Sequence, residues 1–120
     1  MKNYLSIRSV IPSFNKVLNI PGDKSLSIRW VLLASQAIGK SRAYNLLESE
    51  DVINAINSMK KLGVEISKKN NCYEINGVGL SGFSHKNNLN LNAGNSGTFA
   101  RLLCGILAGN IKNVRVTGDS

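Results

Sequence analysis

Apolar side chains recur at helical spacing in three parts of this chain and at strand spacing between them. After Ser25, a natural N-cap, the positions Ile28, Val31, Leu32 and Ser35 predict a first helix over 25–38. Leu26, Trp30, Leu33, Ala34 and Ala37 fill its other sides, so it reads as buried on more than one face, with Gly39 as the residue that stops it. Val52, Ile53, Ile56, Met59 and Leu62 form one stripe of a second helix, capped by Ser49 and ended by Gly63. Glu50 and Asp51 in its first turn oppose the positive dipole end, and Lys60 and Lys61 sit in its last turn. Phe99, Leu102, Leu103, Ile106 and Leu107 predict a third helix, stopped at Gly109.

Extended stretches separate the helices. Residues 4–10 partly alternate, 16–20 look like a second strand, and Pro12 breaks the two. Residues 41–47 read as a strand ending in a turn. Residues 64–67 and 72–75 are two strands joined by the hairpin turn 68–71. Gly77, Gly79 and Gly82 mark a loop, 89–91 a short strand, 114–117 a last strand, and 118–120 begin a turn.

Composition narrows the partners. The chain has 120 residues, 42% of them apolar, enough for one modest domain with a core. Its net charge of +8 suits an anionic partner: nucleic acid, acidic lipid or small phosphorylated substrates. The tight cation pairs Lys60-Lys61 and Lys68-Lys69 have no interleaved aromatics and read more simply as a helix end and a turn, but composition alone does not choose between nucleic acid and small phosphates. Cys72, Cys104 and His85 show no metal-ligand spacing and read as structural or incidental. Reduced thiols, the absence of a signal-peptide pattern and the absence of an ~18-residue apolar run point to the cytoplasm and away from a membrane.

Two strand-to-helix junctions carry the candidate chemistry. The first is Pro21-Gly22-Asp23-Lys24-Ser25-Leu26-Ser27-Ile28-Arg29. A helix start presents unpaired N–H groups and a partial positive charge, and Lys24 adds a full one. Arg29 shares a face with Ser25, so Lys24, Ser25 and Arg29 can converge on one phosphate or carboxylate. The second junction is Asn92-Ala93-Gly94-Asn95-Ser96-Gly97-Thr98. Its glycines allow close approach of a ligand to backbone N–H groups, and Asn95, Ser96 and Thr98 offer polar groups around another helix start. Each run also suits an ordinary helix cap.

The run from Pro21 to Arg29 resembles the N-terminal signature of the 5-enolpyruvylshikimate-3-phosphate synthases, and Asn95-Ser96-Gly97-Thr98 followed by Arg101 resembles their phosphoenolpyruvate loop. The resemblance implies that Lys24, Ser25 and Arg29 bind shikimate-3-phosphate, that Lys24 also reaches phosphoenolpyruvate and is catalytic, and that Asn95 and Gly97 contact phosphoenolpyruvate. Thr98 and Arg101 match the motif and would shape the loop. The sister UDP-N-acetylglucosamine enolpyruvyl transferases have Lys-Asn in place of Lys24-Ser25 and lack the Ser-to-Arg spacing, so they match less well. Ala100-Arg101-Leu102 departs from the Met-Arg-Pro of many members and is more like the subgroup that tolerates glyphosate.

Implied with it is an α/β (α+β) fold: an inside-out α/β barrel of repeated β-α-β-α-β-β units, helices inside and sheets outside. The chain itself shows an echo of such a unit. Each junction starts a buried helix, with Arg29 or Arg101 aboard, that ends at a glycine before a strand. Residues 1–20 would be a leading strand segment that pairs with the other domain, and 21–120 a partial N-terminal domain. Family members are several times longer, so the expectation is a chain that needs the remainder of the enzyme as partner and is inactive alone. The implied reaction moves the enolpyruvyl group from phosphoenolpyruvate to the 5-hydroxyl of shikimate-3-phosphate, without metal or organic cofactor. From the residues alone, a small basic domain that binds phosphate or nucleic acid without catalysis remains the alternative.

Overall fold

In the computed structural model the described residues are 6, 8, 10, 13, 15–84, 88–109 and 113–119. The strand expected at 4–10, Pro12 and His85 lie outside them wholly or in large part.

Helix α1 spans Lys24–Gln36, starting one residue before the range expected from the sequence, with its N-cap two residues earlier. Asp23 rather than Ser25 is the N-cap, its carboxylate accepting from the Leu26 N–H at 2.7 Å. Gly22 makes this possible: a Cβ there would lie 2.4 Å from the Asn45 carbonyl oxygen and 2.7 Å from the Leu47 nitrogen. The turn thus presses on the 45–47 backbone and delivers Asp23 to the helix start. The far end also differs from the expected glycine stop. Ala37 is the C-cap, and strand β1, Ile38–Tyr44, follows at once with Gly39 inside it.

Helix α2, Glu50–Lys61, matches its apolar stripe. Gly63, at φ 87°, closes it: its N–H bonds the Lys60 carbonyl, and that of Val64 bonds Met59. Strands β2, Glu65–Lys69, and β3, Cys72–Val78, form the expected hairpin, tighter than predicted because Lys68 and Lys69 belong to β2 and only Asn70 and Asn71 turn. Gly77 is a strand residue rather than the start of a loop. A Cβ on it would meet the Ala34 and Ala37 carbonyl oxygens at 2.4 and 2.3 Å, so β3 can cross beneath the end of α1 only as glycine. Then come β4, Leu89–Asn92, α3, Gly97–Leu107, and β5, Val114–Thr117.

The sheet order is β1-β3-β2, with β3 antiparallel to both neighbours. β4 and β5 pair in parallel, with α3 as their crossover. One apolar cluster joins the layers: Ile28, Val31 and Leu32 of α1, Val52, Ile56 and Met59 of α2, Ile75 of β3, Leu91 of β4, and Phe99 and Leu103 of α3. The helices are less enclosed than their composition implies, since Leu26 and Leu33 of α1 are each 66% exposed. Residues 16–20 are not a strand: they have no ladder partner among the described residues, and Val17, Leu18 and Ile20 stand in solvent.

Candidate functional site

Lys24 and Ser25 occupy the first two positions of α1, and Arg29 lies one turn beyond Ser25. Because the helix begins at Lys24, that side chain is set about a quarter-turn from Ser25. It reaches across to α2, where its Nζ lies 2.9 Å from Asp51 Oδ2. Ser25 and Arg29 share a face, and Lys24 is held by a carboxylate from the next helix. Arg29 is exposed and borders a groove of about 240 Å³ between α1 and α3, with Leu32, Leu33, Gln36, Leu102 and Ile106.

The loop before α2 is fastened at several points. Leu47 N–H donates to the buried Ser27 hydroxyl of α1 at 3.1 Å. Asn71 Nδ2 donates to Asn45 Oδ1. Glu48 accepts from Lys68 and from the Tyr73 hydroxyl, the latter at 3.0 Å. These bonds to Lys68 and then Tyr73 hold the Glu48 carboxyl below its ordinary range, while burial first and Glu48 second push the Tyr73 phenol up. Glu74 is held by Lys40 at 2.7 Å and Arg42 at 2.8 Å, which lower its pKa in that order. Lys24, Lys40, Arg42 and Lys68 are thus paired with carboxylates across the sheet and helices.

At the second junction Ser96 caps α3, accepting from Phe99 N–H at 3.2 Å. The loop hangs from the two-stranded sheet: Ala93 N–H bonds the Thr117 carbonyl at 2.7 Å and Asp119 N–H bonds the Gly94 carbonyl at 3.2 Å. Gly94, buried and at φ 54°, also donates to Asn92 Oδ1 at 2.8 Å. Asn95 and Gly97 are exposed and Thr98 half-buried. Asn95 and Gly97, with Ala93, Gly94, Ser96, Ala100 and residues 116–118, line a cleft of about 230 Å³. Arg101 folds back along α3, its Nη1 lying 3.8 Å from where a Cβ on Gly97 would be. A cation therefore stands at each helix start.

Helix α2 brings the two loops to one side. Asp51 takes Lys24, and Asn54 presses on Gly94, where a Cβ would lie 2.6 Å from Asn54 Nδ2. Residues three apart share a helix face, so both junctions abut the same turn. Asp51 had been legible only as a dipole-opposing charge, since its partner lies 27 positions away and leaves no local pattern.

The family model for EPSP synthase (3-phosphoshikimate 1-carboxyvinyltransferase) matches residues 11–120. The chain belongs to the EPSP synthase family. The 3-phosphoshikimate 1-carboxyvinyltransferase of Oceanobacillus iheyensis is 39% identical over 118 residues, 98% of this chain and 27% of that protein. The protein of the same name from Thermoanaerobacter pseudethanolicus is 46% identical over 103 residues, 86% of this chain and 24% of the relative. An EPSP synthase structure from Acinetobacter baumannii superposes with a TM-score of 0.77 at 36% identity, over 86% of this chain and 23% of that one. The partial α/β domain expected from the motifs is thus the fold found, and the chain spans about a quarter of the length of the relatives it matches. Both junctions lie inside the matched range. Among the described residues no helix is long and apolar enough to cross a membrane.

Proposed function

We propose that this chain supplies part of the shikimate-3-phosphate and phosphoenolpyruvate sites of a cytoplasmic 3-phosphoshikimate 1-carboxyvinyltransferase of the shikimate pathway. The reaction adds the 5-hydroxyl of shikimate-3-phosphate to phosphoenolpyruvate and then eliminates phosphate from the tetrahedral intermediate. Lys24, Ser25 and Arg29 take shikimate-3-phosphate. Lys24, Asn95 and Gly97 take phosphoenolpyruvate, in a loop shaped by Thr98 and Arg101. No metal or organic cofactor has a part in this route.

The observation that carries the reading is the meeting of both loops on one face of α2, each with a cation at its helix start. Two multiply charged anions repel one another, and fixed cations and N–H dipoles offset that repulsion while orienting the reacting atoms. Asp51 keeps Lys24 extended toward α2, within reach of a substrate held between the loops. Acid–base groups and further phosphate ligands would come from the remaining length of the relatives.

The test uses a chimera in which residues 1–120 replace the matching segment of the Oceanobacillus relative. Phosphate release that requires both substrates is expected. Lys24→Ala lowers turnover by on the order of 10²-fold or more, the scale of losing one preorganised charge contact. Lys69→Ala, at the hairpin end of β2, leaves turnover unchanged. Equal losses from the two substitutions would count against the site.

A further inference from the structure

Asn54 lies in neither motif, yet it is where α2 meets the second loop. Its Nδ2 sits where a Gly94 side chain would begin, 2.6 Å from an ideal Cβ, and Asp119 Oδ2 lies 3.9 Å from the same point. The bonds of Ala93, Gly94 and Asp119 tie the loop to β4 and β5. The Asn54 contact ties it to the helix whose Asp51 holds Lys24.

We propose that Asn54 is a positioning residue: its side chain is the stop on which the 94–97 loop seats, so α2 sets the distance between that loop and Lys24. The consequence for catalysis rests on the function proposed above; the seating itself does not. Gly94 is buried, its φ of 54° by itself favours glycine, and Asn54 Nδ2 fills the space that a side chain there would enter. The role is one of bulk, since Asn54 bears on a Cα that offers no hydrogen-bonding group.

Two measurements test it. In the 120-residue chain, Asn54→Ala speeds amide exchange at residues 94–97 by about tenfold without changing exchange in the middle of α2, because a local opening is released. Asn54→Leu, of similar volume, stays near the parent rate. In the chimera, Asn54→Ala raises the KM for phosphoenolpyruvate about fivefold and leaves that for shikimate-3-phosphate unchanged, a modest loss beside the ~10²-fold that a misplacement of about 1 Å can cost. Unchanged loop exchange in the alanine variant overturns the proposal. So does a leucine variant that behaves like alanine, or an equal rise in both KM values. A parent chimera without activity counts against the proposed function alone, and exchange still decides the seating.

Discussion

At the residue scale, backbone proximity explains choices that side-chain chemistry does not. Gly22 has an ordinary φ, so a side chain is conformationally allowed there; what forbids it is the 45–47 backbone. Both atoms in the way are main-chain atoms tied to α1 through Leu47 and Ser27, and they cannot rotate aside. Gly22→Ala is therefore expected to destabilise the chain by about 1–3 kcal/mol, the range for forcing extra volume into a packed site. It should also disturb Asp23 and Lys24, which follow at once. Denaturant unfolding checks the first, and the Lys24 environment in a solved structure of the variant checks the second. A Gly22→Ala chain as stable as the parent would show that the turn is not pressed on 45–47. The glycine was visible in the sequence as part of a turn, but its steric role was not, because the opposing backbone is more than twenty positions away.

At the element scale, the three helix starts look alike in sequence and differ in structure. Ser96 caps α3 with its side chain, whereas Ser49 stands at the N-cap of α2 without a side-chain cap bond. Its hydroxyl oxygen is buried and unpaired among the described residues. Ser96→Ala should cost about 1 kcal/mol, a normal cap loss. Ser49→Ala should be neutral or stabilising, because it removes an unsatisfied buried hydroxyl. Thermal or denaturant midpoints of the two variants distinguish them, and equal losses would refute the contrast. The sheet gives a pH prediction. The Glu48 and Glu74 pKa values are lowered on folding, so their contribution is present at neutral pH and is lost as pH falls below the ordinary glutamate range. Tyr73, raised on folding, contributes below the ordinary tyrosine pKa and is lost as pH rises through its folded value. Glu74→Gln should flatten part of the acid limb and leave the alkaline limb alone, as measured by stability against pH.

At the scale of the whole molecule, the core is continuous but the outside is not finished. Leu33 of α1 and Leu102 of α3 stay exposed in the groove that Arg29 borders, and Leu26 of α1 is exposed as well. Ile38 is 95% exposed, and Val17, Leu18 and Ile20 stand out on a segment without a ladder partner among the described residues. Exposed apolar surface of this kind drives association in water. Light scattering coupled to sizing chromatography of the isolated chain is expected to give a mass above the monomer's 13.0 kDa. A clean monomer at tens of micromolar would show that these faces are tolerated bare.

The local pattern of the chain determined the three helices, the hairpin, the last two strands and the two strand-to-helix junctions. Period, capping residues and glycine stops act within a few positions, and those interactions are the same wherever the segment sits. Tertiary structure alone decided what those junctions face and what else is held: that Lys24 is turned to Asp51, that Gly94 rests on Asn54, that Glu74 and Glu48 are held by cations from strands, and that 16–20 has no ladder partner among the described residues. Each depends on groups brought together from some twenty to forty positions apart, or on a partner strand. No periodicity within a segment carries that distance.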